Sequence, residues 1–238
     1  LANRLIHQVR ADAVTVAEDV SGMPGLAAPT DEGGCGFDYR LAMGVTDHWF
    51  RLLDRRDEDW SMEGLWRELT NRRAEEKTLS YVECHDQAIV GGQSMIYRLI
   101  GDAMYTAMDV HSENLMVDRG IALHKLARLA TFATAGGGYL NFMGNEFGHP
   151  EWVDFPREGN GWSYHHARRL WSLADRPDLR YRFLREFDRE MLALETAWHI
   201  VEGGRPTLIE LDSVNKLIAF ERAGLFFFLN FHPSNSLV

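Results

Sequence analysis

The sequence predicts an α/β protein whose alternation of strands and helices gives way, near residue 197, to strands alone. Three observations carry this. Apolar runs at 13–20, 37–44, 78–86 and 138–148 alternate with amphipathic stretches, the pattern of a parallel sheet or barrel. The run at 13–20 is apolar on both faces, as a strand covered on both sides requires. After residue 197, the runs 198–202, 206–212, 217–222 and 225–231 follow one another with turn signals and no helix between them, the pattern of an antiparallel unit. The expected domains are therefore 1–197 and 198–238.

The elements follow in order. Leu1, Leu5, Ile6 and Val9 fall at helical spacing, so residues 1–10 read as the end of an amphipathic helix. Gly22 and Pro24 stop the first strand. A glycine-rich loop at 32–36 leads into the second. Residues 47–54 and 62–73 place Trp49, Leu52, Leu53, Leu65, Trp66 and Leu69 at helical spacing. The third strand, 78–86, ends in charged residues. Residues 93–108 and 118–135 are helical, the second with Ile121, Leu123, Leu126 and Leu129 on a broad apolar face and a glycine triplet at its end. A long polar and aromatic loop follows the fourth strand, and helices run near 166–173 and 177–195. No internal repeat or low-complexity segment is visible.

Composition removes whole classes of function. The chain of 238 residues carries 25 Lys plus Arg against 35 Asp plus Glu, a net charge of −10. That balance disfavours nucleic acid, which needs a basic face, and anionic membrane surfaces. Hydrophobic content of 45% and charged content of 25% are those of a folded chain. No window approaches the roughly 18 apolar residues of a membrane-spanning helix. Two cysteines, Cys35 and Cys84, cannot make a disulfide framework, so a reduced, cytoplasmic setting is expected, with a plastid as the alternative. The chain lacks an initiator Met and opens inside a helical pattern, so it reads as a fragment of a longer polypeptide.

Polar residues gather at the predicted C-terminal strand ends: Glu18 and Asp19 on the first, Glu83, His85 and Asp86 on the third, Asn145 and Glu146 on the fourth. In a β/α barrel that rim builds the active site. Carboxylates at the ends of apolar strands are costly to bury, and three strand ends together point to a site rather than to isolated caps. Metal chemistry fits poorly. Residues 83–86 are contiguous, alternate side chains on a strand point to opposite faces, and His85 and Asp86 share a face only if the strand has already turned. No HExxH, CxxC, GxxxxGK or GxGxxG spacing occurs, so no metal or other cofactor is expected. Glycosyl transfer fits better. An acetal needs a proton on its leaving oxygen and an anion near the oxocarbenium carbon, which paired carboxylates supply. The loop after the fourth strand holds Phe147, Trp152, Phe155, Trp162 and Tyr164 among amides and carboxylates, residue types that take the CH faces and hydroxyls of sugars.

The strings VAEDVSGMP (16–24), EGGCGFDYRLAM (32–43), ECHDQ (83–87), DRGIALHK (118–125) and GYLNFMGNEFGHPEWVDFPREGNGWSYHHARRLWSL (138–173) resemble the eukaryotic type of 1,4-α-glucan (glycogen and starch) branching enzymes, within the α-amylase superfamily of glycoside hydrolases. The resemblance implies the C-terminal half of a (β/α)8 TIM barrel, strands five to eight, followed by the start of an all-β C-terminal domain. It implies Glu18 as general acid/base, Asp86 as the carboxylate that stabilises the transition state, and His85 as a ligand of sugar hydroxyls. Asn145, Glu146, Trp152 and Trp162 are the further substrate-binding candidates. The implied partner is an α-glucan polysaccharide (glycogen, amylose or amylopectin), cleaved at an α-1,4 bond and rejoined as an α-1,6 branch with retention. Such a Glu18 must start each cycle protonated, so its surroundings should favour that form. The family's nucleophile is an Asp in a pattern like GFRFDG, which this sequence lacks, so the chain alone is expected to be inactive and, as a half barrel with open edges, poorly soluble. Cys84 stands where the family carries a small polar residue. The competing readings are another superfamily hydrolase or debranching enzyme, or a glucan-binding piece without catalysis.

Overall fold

The computed structural model describes residues 2–89 and 92–236. Helix α1 (Ala2–Val9) precedes strand β1 (Val16–Ala17), and β2 (Tyr39–Leu41) follows after a connection that contains only a single 3-10 turn. Helices α2 (Met43–Leu53) and α3 (Met62–Thr70) cross over to β3 (Thr78–Ser80). Helices α4 (Met95–Ile100), α5 (Ala103–Thr106) and α6 (Leu115–Thr134) cross over to β4 (Gly137–Tyr139). The four strands form one sheet in the order β1-β2-β3-β4, all parallel, with Val16 opposite Tyr39, Arg40 opposite Thr78 and Thr78 opposite Gly137. Helices α7 (Ser172–Asp175) and α8 (Tyr181–Trp198) then lead to an antiparallel sheet of β5 (Thr207–Asp212), β6 (Leu217–Arg222) and β7 (Leu225–Asn230).

Helix starts follow their caps. The Ser61 hydroxyl accepts the Gly64 N–H at α3, and the Asn114 carboxamide oxygen accepts the N–H groups of Met116 and Val117 at α6. Asn114 therefore starts α6 three residues before the apolar pattern does. The predicted helix 93–108 is broken at Gly101, whose φ of +68° ends α4. The β6–β7 hairpin turns on Ala223 and Gly224, both at positive φ, the pairing a two-residue turn needs to match strand twist.

Each parallel strand is shorter than its apolar run. Only two or three residues find ladder partners before the chain turns away. Residues 198–202 are not a strand: His199 adopts a left-handed conformation that ends α8, and Ile200–Glu202 form a 3-10 turn around the buried Ile200 side chain.

One core joins the two sheets. Trp49 and Trp60 pack with Phe231 at centroid distances near 6 Å, and Trp66 lies 5.3 Å from Phe220. Trp49 Nε1 donates to the Thr131 hydroxyl at 2.8 Å. Buried Arg222 of β6 donates to the carbonyls of Ala133 and Val201, and Lys216 donates to that of Trp60. Helix α6 runs through the middle, with His124 and Arg128 fully buried, because its neighbours cover it on nearly every side.

Candidate active site

Past Ser80 the chain leaves the ladder and turns, and this turn brings His85 and Asp86 together. His85 Nε2 lies 3.1 Å from Asp86 Oδ1, with both side chains open to solvent at 53% and 39%. Cys84, His85 and Asp86 offer ligand atoms within 4.8 Å of one another, which a continuing strand would have prevented. Burial, with the Asp86 and Glu18 carboxylates adding to it, pushes the Cys84 thiol up and away from the thiolate a metal would need. Glu18 lies one residue past β1, and its charge is among the weaker influences that raise the Cys84 thiol. Glu18 is itself exposed, so the enclosure a general acid requires is not furnished by these residues.

The predicted residues after β4 sit differently. Leu140 N–H still donates to the Ser80 carbonyl, and the chain then winds through turns around Gly144, whose φ is +103°. Asn145 and Glu146 belong to these turns rather than to a strand end. The Asn145 side chain is buried, and the residue's backbone carbonyl accepts from Arg128 Nη1 at 3.2 Å. Glu146 Oε2 accepts the Gly144 N–H at 2.7 Å. Trp152 stacks on His166 at 4.4 Å, and its free surface faces a cavity that Gln87 also lines. Trp162 stands 66% exposed at positive φ on the loop tip, apart from the others. The Cys84 N–H donates to Gln87 Oε1 at 2.9 Å, which fixes the residue next to Asp86.

Two buried side chains hold this arrangement, and their roles emerge only in three dimensions. Arg169 donates from Nε to the Met143 carbonyl at 3.0 Å and from Nη1 to the Glu151 carbonyl at 3.2 Å, so it straps both ends of the 143–151 turn. Glu83, two residues before His85, is 2% exposed and accepts the Met95 N–H at 2.5 Å. Burial pushes its carboxyl up to about 7, against the pull of that N–H and of the Arg169 and Arg128 guanidinium groups. Arg128 reaches from α6 to Asp188 on α8 and to Asn141 and Asn145 after β4. Val153 N–H donates to the Ala88 carbonyl, tying the aromatic loop directly to the segment after Asp86. No contiguous sequence signal marks Arg169 or Glu83 for these tasks, since each joins segments far apart in the chain.

The fold is similar to that of a solved alpha-amylase. A crystal structure of an Anoxybacillus alpha-amylase superposes with a TM-score of 0.52, over 92% of this chain and 40% of that one, at 12% identity. No family model matches the chain. By sequence, this chain is a homologue of part of the 1,4-alpha-glucan-branching enzymes. The relative so named from Solanum tuberosum is 52% identical over 99% of this chain and 28% of its own length. That from Felis catus is 53% identical over 99% of this chain and 34% of its own. One from Oryza sativa, named as chloroplastic/amyloplastic, is 49% identical over 99% and 29%. The chain thus spans about a third of the length of these curated relatives.

Proposed function

We propose that the polypeptide carrying this chain is a 1,4-α-glucan branching enzyme, a retaining glucanotransferase that cleaves α-1,4 bonds and forms α-1,6 branches. The observation that carries this is identity of about one half, sustained along 99% of the chain, with proteins of that name. On this reading, β1–β4 are strands five to eight of a (β/α)8 barrel within residues 1–197, and residues 198–238 begin an all-β domain. Its partner is an α-glucan polysaccharide. The cytosol is its compartment, with a plastid as the alternative.

Glu18 donates a proton to the glycosidic oxygen as that bond breaks, and Asp86 stays ionised against the oxocarbenium charge. His85, held by Asp86, donates to sugar hydroxyls. The leaving chain departs with its new hydroxyl, and the donor chain remains as a glycosyl ester on an Asp outside residues 1–238. Glu18, now a carboxylate, takes the proton of an acceptor 6-hydroxyl. That oxygen attacks the anomeric carbon and releases the ester, so configuration is retained after two inversions.

The test uses the full-length polypeptide with amylose. Wild type is expected to lower the long-wavelength iodine absorbance and to create α-1,6 linkages, and Glu18→Gln and Asp86→Asn to lose both by about 10³-fold or more. New reducing ends without branches would overturn transfer in favour of hydrolysis.

A further inference from the structure

At the ends of β3 and β4 away from His85 and Asp86, a cavity of about 390 Å³ opens against the loop between α8 and β5. Five cationic side chains line it, Arg72, Arg73, Lys77, Arg205 and Arg222, in a chain whose net charge is −10. The carboxylates of its wall are Glu76 and Glu202. We propose that this cavity is a binding site for a phosphate group, free or as a small monoester. The proposal goes beyond the glucan-transfer reading and does not rest on it.

The cations here have no anion of their own. Arg72 Nη1 donates to the Thr134 carbonyl at 2.7 Å, and Arg205 Nη2 donates to that of Arg72 at 3.1 Å. Arg222 Nη1 and Nη2 donate to the Ala133 and Val201 carbonyls at 2.9 and 2.8 Å. A carbonyl accepts the hydrogen bond and leaves the charge uncompensated. Among the described residues, neither these three guanidinium groups nor Lys77 pair with a carboxylate. Glu76 is already engaged by Arg40 and Arg73, each at 3.1 Å. Arg222 is 1% exposed, and its buried Nε–H finds no acceptor among the described residues. Burial and the charge of Arg72 hold Arg222 down to about 10, and burial and the charge of Arg205 lower Arg72. The three groups thus repel one another across one small space, and an anion placed there relieves all of them.

The site is shaped before a ligand arrives. Gly136 lets Arg72 lie against the start of β4, since a Cβ there would stand 2.8 Å from Arg72 Cδ. Lys77 Nζ lies 5.9 Å from the centre of the Tyr39 ring, which borders the same space. A cavity of this size takes a small molecule rather than a polymer. Guanidinium forks from separate segments suit an ion with oxygens in several directions and two charges, whereas one fork serves a carboxylate. An apolar ligand would bury these charges without compensation. A phosphate bound here touches the segment after α3, the loop after α8 and the end of β6, so it stabilises the seam between the two sheets.

The test is calorimetric titration of the full-length polypeptide with inorganic phosphate and with glycerol 3-phosphate, which has no pyranose to occupy the rim. Ionic strength is held constant with chloride. Phosphate is expected to bind and to raise the melting temperature above that in chloride alone. Arg205→Gln, at an exposed position, should weaken phosphate about tenfold, and Lys77→Gln about threefold. Arg205→Lys, which keeps the charge without the fork, should fall between wild type and Arg205→Gln. Arg56→Gln removes an equal charge outside the cavity wall and should leave the affinity within about twofold. Circular dichroism checks that the variants fold. Inorganic phosphate binding at least as tightly as glycerol 3-phosphate assigns the site to the free ion, and the reverse order assigns it to a monoester; both support the proposal. Binding of neither, as when a segment outside residues 1–238 fills the cavity, overturns it. A loss in Arg205→Gln no larger than in Arg56→Gln overturns it as well.

Discussion

Replacing Glu83 with Gln should make the protein more stable at alkaline pH and leave it nearly unchanged at acid pH. A carboxyl whose folded value is raised from its ordinary 4.5 to about 7 binds its proton more tightly when folded. Its favourable contribution is complete below about 4.5 and is lost as pH rises through about 7. Each tenfold in proton affinity corresponds to about 1.4 kcal/mol, so the loss is on the order of 3 kcal/mol. Water screens little of this, because Glu83 is 2% exposed. Gln keeps the shape and an oxygen for the Met95 N–H, and it carries no charge to desolvate. Urea unfolding of the full-length polypeptide, followed by Trp fluorescence at pH 5, 6, 7 and 8, gives the difference directly. The Gln variant should match wild type near pH 5 and exceed it by roughly 2–3 kcal/mol at pH 8. A Gln variant weaker than wild type by the same amount at every pH would refute the reasoning. It would mean that Arg169 and Arg128 hold Glu83 ionised throughout.

Other substitutions test the rest of the frame by thermal or chemical unfolding. Arg222→Leu strands the Ala133 and Val201 carbonyls in the seam between α6 and the antiparallel sheet, at a cost of about 2–4 kcal/mol; an unchanged melting temperature would refute that seam. Gly148→Ala forces a Cβ to 2.4 Å from Leu184 Cδ1 at a φ of +73°, and about 1–3 kcal/mol should be lost. Trp49→Phe leaves the buried Thr131 hydroxyl without its donor and should cost about 1–3 kcal/mol, with partial recovery in the double variant Trp49→Phe, Thr131→Val. Arg169→Met releases the carbonyls of Met143 and Glu151, so maltoheptaose affinity should fall through the loosened Trp152 loop; an undisturbed affinity would show that the strap is dispensable.

Local patterns reached the elements that local forces decide. The helices at 47–54, 62–73 and 118–135 rest on apolar spacing. The switch to consecutive strands after residue 197 rests on turn chemistry such as Ala223–Gly224. Strand lengths were not legible, because a ladder ends where neighbouring strands stop offering partners, as at Ser80 and Tyr139. The stretch 198–202 has strand composition, yet burying Ile200 under a left-handed His199 won over pairing.

The candidate site divides along the same line. His85 beside Asp86, and Trp152 among amides and carboxylates, could be read from neighbouring letters, as could the strings that resemble the branching enzymes. The tertiary structure alone decided that the chain turns over residues 85–87 so that His85 and Asp86 meet, and that Asn145 is buried. It alone also set Arg169 as a strap across a turn. Spacing along a chain fixes which side chains share a helix face or a strand face. Contacts such as Tyr105 to Glu151 or Arg222 to Ala133 span dozens of residues, and only the packing of whole elements around a common core sets them.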